Sequence, residues 1–282
     1  MPGARFRDLF ECAVPIQLAG MGGVATTELA AAVIAAGGLG MVPRRVAPAP
    51  GACGVNFLLP FNPSLEEVAA AADRARVVEF FYEAPRRDVV DAAHAGGAVT
   101  GWQVGSVDEA LAAVGAGCDY VVVQGIEAGG HVRGTTTLDA LLAAARPVID
   151  VPLIAAGGIA TAARVAEVLR GGADGVRVGT RFVTCPESSA HPAYVQRLLN
   201  ATASDTALTE WFNEGWPGAP HRVLSSALAA AMQTDWRSTS PPSVGIDRSP
   251  DDMAMYAGMG VGAVTRIEPA AVVVADLASD LP

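Results

Sequence analysis

The chain has 282 residues, 51% of them hydrophobic and 17% charged, with a mean hydropathy of +0.34, enough apolar material for one large core or for a large domain with an appendage. A net charge of −10, a pI near 4.8 and no basic cluster beyond pairs such as Arg44–Arg45 and Arg86–Arg87 argue against nucleic acid as a partner. All 19 basic residues are arginines, so Schiff-base catalysis, pyridoxal phosphate and a P-loop lysine are excluded.

The opening stretch MPGARFRDLFECAVP has two arginines but no sustained apolar core ahead of a cleavage site, so no secretory leader is expected. No apolar run approaches the roughly 20 residues of a membrane span. In chain order, strands are expected at 13–19, 39–42, 53–59, 77–81, 98–104, 119–124, 152–156 and 174–178. Helices are expected between them at 26–36, 64–75, 86–95, 106–115, 136–145 and 161–170, with N-cap signals at Thr26, Ser64 and Ser106. Residues 43–52 contain three prolines and are not expected to form a helix. Strand and helix alternation predicts parallel pairing, and continuous apolar strands predict burial on both faces. The fold class is therefore α/β, a (β/α)8 TIM barrel with a mostly helical C-terminal cap; an open doubly wound sheet is the alternative.

After Thr180 the alternation stops. Residues 187–236 read as helical, with Trp211, Phe212 and Trp216 in the middle, 237–250 as a polar, proline-rich connector, and 251–264 as a last segment. The expected organisation is a barrel over 1–186, a helical cap and substrate region over 187–250, and a segment over 251–282 that returns to the barrel.

Catalytic groups of such barrels come from the loops after the strands. Those loops hold Gly20, Met21, Gly22 and Gly23, then Asn56, Gln103, the run from Gln124 to His131, the pair Gly157-Gly158, and Gly179-Thr180. The last two follow strands seven and eight, where backbone N–H groups and a helix N-terminus can converge on a phosphate without obstruction by Cβ atoms. Gly129 and Gly130 let the chain approach a planar ligand and set His131 at the rim, where an imidazole can move a proton near neutral pH. Surface roles are preferred for His94, His191 and His221, and Glu127 reads either as a partner of His131 or as a solvated carboxylate. Cys12, Cys53, Cys118 and Cys185 lie far apart without metal-ligand spacing and read as free thiols in a reducing cytoplasm, Cys185 being buried rather than nucleophilic. The rim shows no carboxylate cluster for a metal, and no serine-hydrolase, zincin, EF-hand or dinucleotide fingerprint is present.

These residues resemble the FMN-dependent nitronate monooxygenases, formerly 2-nitropropane dioxygenases, over about 13–188 with a fainter trace at 255–266. The resemblance is carried by PIQLAGMGG (15–23), GVNFLLPF (54–61), VVVQGIEAGGHVRG (121–134), PLIAAGGIA (152–160) and ADGVRVGTRFVTCPES (173–188). It implies that Ala19, Gly20 and Met21 line a flavin ring and that Asn56 and Gln124 hydrogen-bond it. Gly129, Gly158, Gly179 and Thr180 would bind FMN, the latter three around its phosphate, with Arg177 and Val178 in the same segment. His131 matches the family histidine beside the flavin. Gly20 stands where the family commonly has proline, 258–262 reads GMGVG where GQGAG is usual, and the chain is short between Asn56 and Gln103. The implied activity is oxidation of a small nitronate or nitroalkane by O2 to a carbonyl compound and nitrite, in the cytoplasm, without nucleic acid or membrane; a homo-oligomer is left open. The alternatives are a flavin-dependent enoyl-acyl-carrier-protein reductase, an NAD(P)H:quinone reductase, or a non-catalytic flavin-binding partner protein.

Overall fold

The computed structural model describes residues 3–281. Its core is an eight-stranded parallel sheet built from β1 Ile16–Leu18, β2 Gly40–Pro43, β3 Cys53–Leu58, β4 Val77–Phe81, β5 Val99–Val104, β6 Tyr120–Gln124, β8 Leu153–Ala156 and β9 Gly175–Val178. From β2 to β9 each barrel strand pairs with the following barrel strand, and β9 pairs with β1, with Gln17 opposite Arg177; β1 and β2 form no ladder. Closure of the last seam rests on two bonds, Leu18 N–H to the Leu39 carbonyl and Leu39 N–H to the Ile16 carbonyl, both 2.9 Å. The result is a nearly closed TIM barrel in which the strands are buried almost throughout, as apolar runs covered on both faces must be.

The helices fall where the capping chemistry puts them. The Thr26, Ser64 and Ser106 hydroxyls accept from the N–H groups of Leu29, Glu67 and Glu109, starting helices Thr27–Ala35, Leu65–Ala72 and Val107–Ala116; Ser64 and Glu67 form a reciprocal box. Helices Arg87–Ala95, Leu138–Ala145 and Ala162–Arg170 complete the ring up to the seventh. The β2 to β3 connection has no helix, as its prolines require. Helix Ala4–Phe10 lies against the strand-entry end, where Phe6 and Phe10 are fully buried and the Phe10 ring meets Tyr120 edge-on at 4.9 Å.

The region after β9 departs from the helical expectation. It contains helices Pro192–Leu199 and Ser225–Thr234, but also β10 Thr206–Thr209 and β11 His221–Leu224. These pair antiparallel, and β11 adds the two-residue β7 Gly130–His131 to make a three-stranded sheet. Trp211, Phe212 and Trp216 sit in the β10 to β11 connection rather than in a helix. Gly215 and Gly218 there have φ of +74° and +67°, and Pro217 and Pro220 remove amide donors, so no helix can pass through. Helix Ala270–Leu277 then packs between Thr27–Ala35 and Ala162–Arg170, the place of an eighth barrel helix. The cap is thus an excursion made between the eighth barrel strand and its helix.

Candidate functional site

A cavity of about 790 Å³ opens at the carboxyl ends of the barrel strands. Ala19, Gly20 and Met21 after β1, Asn56 on β3, Gln124 on β6, Gly129, Gly130 and His131 beyond it, Gly157 and Gly158 after β8, and Arg177, Gly179 and Thr180 at the end of β9 all line it. Val178 does not: its side chain is 1% exposed and, following inward-facing Arg177, turns outward into the apolar layer under the helices, because alternate residues of a strand point to opposite faces.

His131 is held from three sides. It stands opposite His221 in the β7 to β11 pairing, and Val132 N–H donates to the Pro220 carbonyl at 2.8 Å. The Gln124 amide donates to the His131 carbonyl at 2.9 Å and accepts from Arg133 N–H at 3.1 Å, so Gln124 braces this loop as well as lining the cavity. The imidazole stacks on the Trp216 indole with centroids 3.8 Å apart and planes 15° from parallel. Its Nε2 is buried and, among the described residues, has no hydrogen-bond partner. Burial, reinforced by nearby His221, pushes its pKa down to about 3, so the ring is neutral at physiological pH.

His221 corrects the expectation of a surface role. It is 0% exposed, lies 5.1 Å from the His131 ring, shares a hydrogen bond between Nδ1 and the Ala219 carbonyl at 2.8 Å, and accepts from Phe212 N–H at Nε2. With Nε2 accepting, the proton sits on Nδ1, and burial keeps the ring neutral. His94 is exposed and hydrogen-bonds Asp119, and half-buried His191 caps helix Pro192–Leu199 by accepting from Ala193 N–H. Glu127 accepts from Leu138 N–H at the start of helix Leu138–Ala145, a structural duty that separates it from His131.

At the other end of the cavity, Gly157 and Gly158 have φ of +123° and +67°, conformations that strain any side-chain-bearing residue. Among the described residues, the N–H groups of Gly157, Gly158 and Gly179 make no hydrogen bond. The Thr180 hydroxyl accepts from Gly258 N–H at 3.0 Å, leaving its own hydrogen to donate. The returning segment seals this corner: Met259 N–H reaches the Glu127 carbonyl at 2.9 Å, and a Cβ on Gly260 would come within 2.6 Å of the Gly158 carbonyl oxygen. The cavity floor is a buried polar cluster in which the Arg177 guanidinium bonds Glu79 and Gln103, while Asn56 and Tyr120 donate to the Glu79 carboxylate at 3.0 and 2.9 Å. Every member is satisfied by another, which is what permits charge inside a barrel.

Sequence reasoning missed the upper wall. Trp216, Tyr194 and Tyr256, the connector residues Thr239, Ser240, Pro241 and Ser243, and Arg44 with Arg45 all line the cavity, yet all but the two arginines belong to the cap, the connector or the returning segment, whose placement no local periodicity encodes. The one available signal was the aromatic and Gly/Pro density of 211–220. All four cysteines are buried, and burial pushes the Cys12, Cys118 and Cys185 thiols up to about 12, consistent with inert packing.

A parallel barrel with a polar, glycine-rimmed cavity at the carboxyl ends of its strands is the arrangement of a TIM-barrel enzyme. The nitronate monooxygenase family model matches residues 52–280, and the chain belongs to that family of oxidoreductases. It is 31% identical over 210 residues to a probable nitronate monooxygenase of Bacillus subtilis, a match covering 68% of this chain and 60% of that protein; the chain thus spans about three fifths of that curated relative's length. Among solved structures it is similar to a nitroalkane oxidase from Streptomyces ansochromogenes, with 30% identity, TM-score 0.78, and 99% and 98% of the two chains covered. It is also similar to FabK from Thermotoga maritima, with 26% identity, TM-score 0.83, and coverage of 98% and 95%.

Proposed function

We propose that this protein is an FMN-dependent nitronate monooxygenase that oxidises a nitronate or nitroalkane with O2 to a carbonyl compound and nitrite. The observation that carries the reading is the pairing, in one cavity, of a neutral, buried, unpartnered imidazole nitrogen with three unpartnered backbone N–H groups after the last two barrel strands. The residues present fit FMN. The N–H groups of Gly157, Gly158 and Gly179 and the Thr180 hydroxyl suit its phosphate, and Ala19, Gly20, Met21 and Gly129 leave flat room for its ring. When bound, FMN supplies the electron acceptor that the protein side chains lack.

The chain's own contribution is placement and proton transfer. His131, neutral and braced by Trp216 and Gln124, removes the proton from the carbon bearing the nitro group. Arg177, ion-paired with Glu79 and bonded to Gln103, gives the cavity a rigid, internally neutralised polar floor. The cap aromatics exclude water from the reacting carbon.

Replacing His131 by Asn is expected to leave FMN bound and to lower the rate with neutral nitroalkanes by about 10²–10⁴-fold, the usual worth of a general base. Pre-formed nitronates, which need no deprotonation, should lose far less. Equal rates in wild type and variant with a neutral nitroalkane remove His131 from the chemistry. The likeness to FabK favours a second reading, a reductase using NADH or NADPH. Under anaerobic conditions, bleaching of the flavin by a nitronate alone supports the first reading, and rapid bleaching by either nicotinamide supports the second.

A further inference from the structure

The cavity wall contains no aspartate or glutamate among the described residues, although the chain carries 29 of them. Its charged members are all arginines: Arg177, spent on Glu79 at the floor, and Arg44 and Arg45 at the mouth. Those two sit on the helix-free β2 to β3 connection. Arg44 is held by its N–H to the Asn56 carbonyl at 3.1 Å and by its guanidinium to the Phe61 carbonyl at 3.4 Å, with Glu67 only at 3.9 Å. Arg45 is exposed and, among the described residues, makes no hydrogen bond or ion pair.

From this pair an apolar path leads inward. The Phe61 ring, 41% exposed, meets Trp216 edge-on at 5.4 Å, and Trp216 stacks on His131 at 3.8 Å. A ligand whose reacting carbon lies at His131 would run past these aromatics and end against two guanidinium groups. A small nitroalkane needs neither the length nor the charge. A pair made of exposed Arg45 and partly buried Arg44 is screened by water and salt and holds a monoanion weakly, whereas two guanidiniums suit the several oxygens of a phosphate.

We propose that Arg44 and Arg45 form a phosphate subsite for a substrate or reductant carried on a phosphorylated nucleotide, either a coenzyme A thioester or a nicotinamide nucleotide, with its reactive end beside His131. This rests on the preceding assignment of the opposite rim, after β8 and β9, to the phosphate of FMN. It makes the mouth of the cavity, set by the shortened second connection, the determinant of substrate class.

The test is titration of the FMN-loaded protein with coenzyme A and separately with NADPH, followed by calorimetry at low and at physiological ionic strength. At least one should bind, more weakly as salt rises. The R44A/R45A variant should weaken that binding by at least tenfold and R45A, which removes a side chain without partners, by severalfold, both with unchanged FMN content by absorbance. Binding of coenzyme A alone identifies an acyl thioester, and binding of NADPH alone a nicotinamide reductant. The proposal is overturned if FMN-loaded wild type binds neither, if R45A and R44A/R45A bind as wild type does, or if these variants lose FMN, which would give the arginines to the cofactor. Wild type that takes up no FMN instead overturns the assignment on which the proposal rests, and the proposal with it.

Discussion

His131 and His221 face each other across the β7 to β11 pair as two buried imidazoles, and neither has a carboxylate among its hydrogen-bond partners. A protonated imidazole there would be both desolvated and repelled by a second cation, so the native state holds both rings neutral. The consequence for stability has a definite sign. The unfolded His131 titrates near 6.5 and the folded one near 3, so the unfolded chain takes up the proton first as pH falls. The stabilisation is complete above about pH 6.5 and is lost progressively on acidification toward pH 3. Urea midpoints measured between pH 7 and pH 4 are expected to fall more steeply for wild type than for H131N, which has no proton to gain. Parallel curves would mean that the imbalance between folded and unfolded imidazole does not exist.

At the scale of elements, the site depends on segments that are not neighbours in sequence touching through glycine. Gly129 packs on Gly258, where an added Cβ would lie 2.4 Å from the Gly258 nitrogen, and Gly260 packs on Gly158. Both contacts are backbone to backbone, so no side chain can give way. Replacing Gly260 by Ala is expected to cost about 1–3 kcal/mol, as overpacking does, and to weaken FMN retention by shifting Gly158. Thermal melts and flavin release on dilution measure the two effects; a variant equal to wild type in both would show that the turn is not seated on Gly158. These contacts explain what was legible beforehand. The barrel strands and helices were readable because each carries its own signal: a run such as Tyr120–Gln124 buried on both faces, or a cap such as Ser64 with Glu67. Much of the inner rim, from Gly20 to Thr180, followed from counting strands, while Ala19 and Arg177 rested on the family resemblance alone. The cap was misread because β10 and β11 are four residues each and become a sheet only by pairing with each other and with His131, a non-local event. Residues 187–236 read as helical as a whole, although Gly215, Pro217 and Gly218 forbid a helix around Trp216.

On the scale of the whole molecule, the sequence boundary near 186 is not a boundary of stability. Arg181 is 5% exposed, and its guanidinium is paired to Glu268 at 3.2 Å and Asp276 at 2.7 Å, both more than 80 residues further along the chain. The Glu187 carboxylate accepts from Ala270 N–H at 3.1 Å and so fixes the start of the eighth helix. That helix buries Ala270, Val273, Val274 and Leu277 against the first and seventh helices of the ring. A chain cut after residue 186 therefore removes both carboxylates that neutralise Arg181. It also uncovers the apolar surface that two valines and a leucine had covered, at roughly 1.5–3 kcal/mol each. That loss is comparable to the roughly 5–15 kcal/mol that holds an ordinary domain folded. The 1–186 fragment is accordingly expected to be unfolded or aggregated, whereas a chain with 189–266 replaced by a short flexible linker keeps Glu187, Glu268 and the eighth helix and is expected to retain barrel secondary structure without the cavity corner sealed by Gly258 and Gly260. Circular dichroism melts of the two chains decide the matter: a cooperative transition in the 1–186 fragment would show that the barrel closes without its returning helix.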